Sequence, residues 1–262
     1  MKVNVVYAKS FFGLDEVEDD SVDLIFADPP YGISKDTLLS NPQIGYEPKK
    51  GNWDLVSKEY LKEFAEHLGA DALRVLKPSG SIVVSGVFGS LRPYFANFVS
   101  LGFKFRHHIV WHKTNPAPSV HRRSFVYSNE ILLWFSKTNK WYFDYDLSKT
   151  YNKGKQLHDV WDIPSVRKQA GVTRKPKELM ERIVRILSPE GGLVLDPCVG
   201  SGTTIEVARK FRRKFVAYEI GNEQLKLLRK KKFNVVNHKI KVRLRPKMRK
   251  RGVKLKHFHF CD

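Results

Sequence analysis

Two periods organise the hydrophobic and polar positions of this chain. Apolar residues run together, or alternate with polar ones, over residues 3–7, 22–27, 81–85, 103–111, 130–135, 193–195 and 215–218, and runs of that length read as strands. Between several of them the period lengthens. Over residues 57–76 the apolar positions Leu61, Phe64, Ala65, Leu68, Ala72, Leu73 and Leu76 recur every three or four, with Pro78-Ser79-Gly80 as the stop. Residues 176–187 and 202–211 carry the same helical spacing. Strands separated by helices predict an α/β fold with a mostly parallel sheet, in which ligands gather beyond the carboxyl ends of the strands.

From 113 to 172 this pattern dissolves. KTNPAPSVHRRSF, KTNKWYFDYD and YNKGKQLHDVWDIPSVRKQAG mix basic, aromatic, proline and glycine residues around one strand, which reads as an insertion. Residues 224–261 hold 15 Lys/Arg and no acid, three quarters of the formal net charge of +20. A field of that sign draws polyanions and makes nucleic acid the leading partner class. The length, 262 residues, suits one domain with appendages. Two cysteines, Cys198 and Cys261, cannot frame a disulfide scaffold, and neither they nor His107, His108, His112, His257 and His259 have metal-type spacing, so no metal is expected. With no signal segment and no apolar stretch near the roughly 20 residues that cross a bilayer, a cytoplasmic protein with no membrane contact is expected.

The strand at 22–27 ends in residues that cannot extend it: Asp28, Pro29, Pro30, Tyr31, Gly32 and Ile33 follow Ala27. The prolines fix φ, remove two donors and hold Asp28 extended at the sheet's carboxyl edge. There the Asp28 carboxylate and the Pro29 carbonyl are acceptors, and Tyr31 is an aromatic face with a polar tip. Together they can grip a planar group bearing an exocyclic amine. Asp28-Pro29-Pro30-Tyr31 resembles the catalytic tetrapeptide of the amino-group DNA methyltransferases, which transfer methyl from S-adenosylmethionine to N6 of adenine or N4 of cytosine.

LVLDPCVGSGTT, residues 193–204, reads as a strand, a turn of small residues and the start of a helix. Gly200 and Gly202 allow a tight turn and close backbone approach, and the helix presents free N–H groups. It is neither a Walker loop nor a G-x-G-x-x-G loop. It resembles the cofactor loop of the same family through Asp196-Pro197 and Gly200-Ser201-Gly202-Thr203-Thr204, with Cys198 where an aromatic is frequent. The next strand ends at Glu219, a carboxylate that can accept from both ribose hydroxyls of a nucleoside cofactor. Upstream, TRKPKELMERIV resembles the family's Thr-x-Lys-Pro helix start, which implies that Lys175 meets the cofactor's carboxylate; by itself Thr173 is an N-cap and Lys175 a surface charge. The order of these pieces is that of the permuted β group, and the resemblance spans residues 3–222. GNWDL with Trp53 and Asp54, VLKPSGSIVV, WHKTNPAP and HDVWDIP also look like that group's intermediate segments.

The resemblance implies a Rossmann-like S-adenosylmethionine-dependent methyltransferase fold: a mostly parallel seven-stranded sheet in circularly permuted motif order. Residues 1–112 would form the catalytic half, 113–172 a target-recognition insertion, 173–223 the cofactor-binding half and 224–262 a basic extension. The implied reaction flips the base out of double-stranded DNA, stacks it on Tyr31 and transfers methyl directly, with no catalytic cysteine. By the tendency of the family it resembles, aspartate at the first tetrapeptide position favours adenine N6 over cytosine N4, although the chemistry suits either. Arg122, Arg123, Lys113, Arg167 and Lys168 are the expected DNA contacts, whereas Trp141 and Phe143 read as a packed strand edge. A cognate restriction endonuclease and a second copy of the chain are the remaining candidate partners. One departure stands out. Relatives commonly end the first strand in Gly-Asp, whose acid touches the cofactor's adenine amine, but here Ala8 and Lys9 occupy those places. A lysine cannot accept from an amine, so the contact at Ala8 must be absent, or come from backbone or Ser10. Val172 likewise replaces the histidine that often precedes Thr-x-Lys-Pro. A catalytically impaired DNA-binding subunit, cytosine-N4 methylation and an RNA substrate are the alternative readings.

Overall fold

The computed structural model describes residues 1–31, 57–118, 125–166 and 174–237. In chain order these form β1 (Val5–Ala8), β2 (Val22–Ala27), α1 (Lys58–Val75), β3 (Leu76–Gly86), α2 (Phe88–Ser100), β4 (Lys104–His112), β5 (Asn129–Ser136), α3 (Tyr145–Thr150), β6 (Val160–Asp162), α4 (Lys177–Leu187), β7 (Leu193–Asp196), α5 (Thr203–Lys210), β8 (Lys214–Glu219), α6 (Asn222–Lys230) and β9 (Asn234–Asn237). All the strands join one sheet in the order β6-β4-β5-β3-β2-β7-β8-β1-β9. Every pairing is parallel except the two made by β5, which runs against both β3 and β4. The expected α/β class holds, with two strands more than seven. The edge strands β6 and β9 have three and four residues, too few to display a period in the sequence.

Strand residues alternate between two apolar layers. Val5, Tyr7, Ile25, Ala27, Ile82 and Val84 pack with Phe64, Leu68 and Ala72 of α1 and Leu91, Tyr94 and Phe98 of α2. Val6, Leu24, Phe26 and Val83 face the other way, against Leu179, Met180 and Ile183 of α4, Ile205 of α5 and Leu225 and Leu228 of α6. A sheet buried on both faces explains why its central strands read as continuous apolar runs. The Ser57 side chain caps α1 by accepting from the Tyr60 N–H at 3.1 Å. After α1 the chain enters β3 directly, and the register of β3 on β2 slips between Val22 and Leu24 to absorb Pro78-Ser79-Gly80. Only glycine fits there, because a Cβ on Gly80 would stand 2.9 Å from the Val22 carbonyl oxygen.

The described part of the basic extension is built into the sheet: α6 packs beneath it and β9 pairs with β1. Ala8 aligns with Asn237, so the chain leaves β9 at the carboxyl edge of the parallel strands. In the insertion, β5 takes a place between β3 and β4. What this topology positions is the junction of β2 and β7, neighbours in the sheet whose following crossovers run in opposite directions, to β3 and to β8. Ligands of open α/β sheets bind beyond the strand ends at such a reversal. The buried Asp23 carboxylate ties the two strands, accepting from the Leu193 N–H and the Lys77 ammonium at 2.8 Å each.

Candidate active site

At the end of β2, Asp28 and Tyr31 meet side chains from three distant segments. The Lys175 ammonium donates to Asp28 Oδ1 at 2.7 Å, to Oδ2 at 2.6 Å and to Tyr31 Oη at 3.0 Å. Tyr31 Oη lies 2.8 Å from Asp28 Oδ1, 2.9 Å from Glu130 Oε2 and 3.0 Å from Ser85 Oγ. A phenol has one proton, so these acceptors compete for it. Glu130, at the start of β5, also lies 3.2 Å from Lys175 and 2.7 Å from Lys113. Two carboxylates and two ammonium groups thus close a neutral set around one phenol, with the Trp111 ring 5.1 Å from Lys113 Nζ and 5.9 Å from Lys175 Nζ.

Electrostatics fix the protonation states. Burial alone would raise the Glu130 carboxyl, but Lys175 and Lys113 hold it down to about 2. Burial works against the Lys175 ammonium, yet Asp28 and Glu130 outweigh it and push its pKa well up. Burial, followed by the charge of Asp28, keeps Tyr31 a neutral phenol.

The turn after β7 is held by backbone instead. The Cys198 N–H donates to Asp196 Oδ1 at 3.0 Å, Gly202 N–H to the Val199 carbonyl at 2.8 Å, and Val199 N–H to the Tyr218 carbonyl at 3.1 Å. Glu219, ending β8, accepts from the N–H groups of Gly200, Ile220 and Gly221 at 2.8, 2.9 and 2.7 Å. Gly200 and Gly202 have φ of +51° and +84°, and Gly202 opens α5 with no side-chain cap, so N–H groups at the helix start remain for a ligand. Pro197, Ser201, Thr203 and Thr204 are buried beneath the turn. Burial pushes the Asp196 carboxyl up to about 7 in spite of hydrogen bonds from Thr204 and Cys198, and it raises Glu219 as well. Burial also raises the Cys198 thiol, which leaves it a poor nucleophile.

Not every expected contact is made as the sequence suggests. Lys175, expected on a cofactor carboxylate, has its ammonium on Asp28 and Tyr31. Lys113, expected on DNA phosphate, is paired with Glu130 and only 20% exposed in its side chain. Ala8 ends β1 beside Glu219. Lys9 adds no free charge there, because its ammonium is paired with Glu16 at 2.6 Å. Arg122, Arg123, Arg167, Lys168, Trp53, Asp54, Gly32, Ile33, Val172 and Thr173 lie outside the described residues. Sequence reasoning missed Glu130 and Ser85. The one available signal for Glu130 was an acid opening an otherwise apolar strand.

Known proteins match this chain over most of its length. A family model described as DNA methylase, of N6/N4 type, matches residues 22–230. The chain is 38% identical over 239 residues to the Type II methyltransferase M2.DpnII of Streptococcus pneumoniae, covering 88% of this chain and 89% of that protein. It is also 38% identical over 236 residues to M2.LlaDCHI of Lactococcus lactis subsp. cremoris, covering 87% and 88%. Among solved structures, the cytosine-N4-specific PvuII DNA methyltransferase superposes with a TM-score of 0.67 at 20% identity, over 86% of each chain. M1.HpyAVI in its SAM complex gives 0.62 at 24% identity, over 87% of this chain and 99% of that one. At these identities the structural likeness is one of fold.

Proposed function

The chain belongs to the N6/N4 DNA methylase family, and we propose that it transfers a methyl group from S-adenosylmethionine to N6 of adenine in duplex DNA. The observation that carries this reading is the adjacency of the two corners: Asp28-Pro29-Pro30-Tyr31 ends β2, and the glycine turn ends its sheet neighbour β7. The residues of that turn fit the cofactor. Glu219 is a carboxylate suited to ribose hydroxyls, and the uncapped start of α5 offers N–H groups to a carboxylate. When bound, S-adenosylmethionine supplies a methyl group activated by its sulfonium.

The chain's own part is to hold the amine. Inside a duplex the target is paired and stacked, so it must be flipped out at a cost of a few kcal/mol. Tyr31 offers a ring for stacking, and its hydroxyl is anchored to Asp28, Glu130 and Ser85. The Asp28 carboxylate and Pro29 carbonyl accept from the two amine hydrogens, which leaves the nitrogen lone pair directed outward for bond formation. As nitrogen gains the methyl it must lose a proton, and Asp28 is the acceptor through which that proton passes to water. Because no strong base lies beside Asp28 among the described residues, rate enhancement comes from orientation and fixed charge.

Two features support DNA as the substrate. Phe125 and Tyr127, 97% and 71% exposed, precede β5 at the same edge as the tetrapeptide. The basic residues after Asn237 follow a strand that also ends at that edge. With Arg122, Arg123, Arg167 and Lys168, they supply phosphate contacts. The Type II names of the relatives point to restriction-modification, with an endonuclease of the same specificity as functional partner. The ion pair of Lys9 with Glu16 neutralises the positive charge beside the cofactor corner, so the place of the missing acid is not electrostatically hostile to the cofactor.

Incubation of the protein with S-adenosylmethionine and unmodified DNA, followed by mass spectrometry of the nucleosides, tests the base assignment. N6-methyladenosine in the deoxy series is expected; N4-methyldeoxycytidine would overturn adenine, and no methylated nucleoside would overturn the activity.

A further inference from the structure

In this structure the carboxylate that should receive the target amine already carries a salt bridge. Both Asp28 oxygens accept from Lys175, at 2.6 and 2.7 Å, and the adjacent ammonium draws charge from the carboxylate and weakens it as an acceptor for a neutral amine. Lys175 has a second anion within reach. Glu130 stands 3.2 Å from its ammonium, against 2.6 Å for Asp28, so a shift of well under 1 Å exchanges the closer partner. Glu130 is built as a fixed receiver. Its side chain is 12% exposed, Lys113 grips Oε1 at 2.7 Å, and Oε2 faces both Lys175 and Tyr31 Oη.

We propose that Glu130 is the seat to which Lys175 moves when a target base enters, releasing Asp28 to accept from the base's amine. This deepens the function proposed above and rests on its reading of Asp28 as the amine acceptor. Glu130 is therefore a positioning residue. It touches neither base nor cofactor, and acts through Lys175 and the Tyr31 hydroxyl. The exchange breaks no covalent bond and moves no net charge out of the site, since the two carboxylates and two ammonium groups stay within it. Lys113 keeps the receiver in place as Lys175 arrives. Without the Glu130 charge, Asp28 is the remaining anion beside Lys175 and the lysine stays on it.

The test is the double-mutant cycle of Glu130→Gln and Lys175→Met, read by single-turnover methylation with S-adenosylmethionine and DNA affinities measured alongside. E130Q is expected to slow methyl transfer by about 30-fold while both affinities stay within about threefold. Adding K175M should then speed the reaction by about tenfold over E130Q alone, because no ammonium is left to hold Asp28. A merely structural Glu130 would not yield a double variant faster than the single one. A second readout needs no turnover: with a non-reactive cofactor analogue bound, the wild type should prefer a duplex carrying the target base over one whose amine is replaced by hydrogen, and E130Q should lose that preference. A double variant no faster than E130Q, or an E130Q that keeps the preference, overturns the proposal. If E130Q does not fold by thermal melting, Glu130→Met, which removes the charge at similar length, takes its place and must show the same loss and the same recovery. Failure of the underlying reading is visible separately, as full methylation by Asp28→Ala.

Discussion

The two corners of the site sit on adjacent strands and are built in opposite ways. At the end of β2, side chains hold side chains: Lys175 reaches Asp28 across 147 residues of sequence and Glu130 reaches Tyr31 across 99. At the end of β7, backbone holds the shape: Asp196 is tied to Cys198 two residues on, and Glu219 to Gly200 nineteen residues back. The second corner is complete once β7, α5 and β8 have formed. The first exists only when β5 has entered the sheet between β3 and β4. Their carboxyl groups diverge accordingly, because Glu130 is surrounded by cations and held down to about 2, whereas Asp196 is buried without one and raised to about 7. A corner made of exchangeable charges suits a group that must release one partner for another. One made of backbone N–H groups suits a ligand received without rearrangement.

The largest effect should come from separating the two by substitution. Asp28→Ala is expected to reduce methylation by about 1,000-fold or more while leaving cofactor affinity within about threefold. Glu219→Gln should do the reverse. A glutamine cannot accept from N–H groups through its NH2, so the turn loses part of its support, and S-adenosylmethionine should bind about 10- to 100-fold more weakly with kcat at saturation nearly unchanged. Isothermal titration and steady-state kinetics measure both. If D28A weakened cofactor binding as much as E219Q, the division into an amine-holding corner and a cofactor-holding corner would fail.

The opposite pKa shifts make a second, smaller contrast in stability. Asp196 is raised from 3.8 to about 7, so its favourable contribution is complete at low pH and is lost as pH rises through about 7. Glu130 is lowered from 4.5 to about 2, so its contribution is complete above 4.5 and is lost as pH falls through about 2. Each group can tilt the stability curve by at most about 1.4 kcal/mol per pH unit inside its own window. Urea unfolding from pH 3 to 8 should show Asp196→Asn flattening the decline between 4 and 7, and Glu130→Gln flattening only the acid limb below 4.5. An unchanged decline in D196N would mean that Asp196 does not carry the proton.

The same contrast explains what the sequence could show. Asp28-Pro29-Pro30-Tyr31 and Gly200–Thr204 are local: prolines and glycines state their backbone demands within a few residues, so both corners were legible, as was the layered class of the sheet. Partners across the sheet were not. Glu130 and Ser85 acquire meaning only because β5 runs antiparallel beside β3, with Gly86 opposite Ile131, which brings the start of one strand to the end of the other. Lys113 read as a phosphate contact because its charge is visible in sequence and its pairing is not. Lys175 is visible in the sequence as part of Thr-x-Lys-Pro, and its contact with Asp28 is not. Pro93 lies inside α2 and obscured that helix, although Leu91, Tyr94 and Phe98 keep the helical spacing.

The backbone-built corner makes a finer prediction of its own, since its two left-handed glycines differ in what a side chain would meet. A Cβ on Gly202, at φ +84°, would lie 2.7 Å from Cδ2 of the buried Leu228 in α6. On Gly200, at φ +51°, its nearest neighbour would be the Cys198 carbonyl oxygen at 3.8 Å, an ordinary contact. Gly200→Ala therefore carries only the left-handed penalty, about 1 kcal/mol, whereas Gly202→Ala adds a clash that Leu228 must relieve, for a total of about 2–3 kcal/mol. Urea midpoints of the two variants measure the gap. Gly200 is also the less buried of the two, so Gly200→Ala should weaken cofactor binding more than its small stability loss suggests, and Gly202→Ala less. Equal losses in both measurements would mean that the turn yields as one flexible unit, and a pre-formed cofactor corner would no longer stand against an adaptable amine corner.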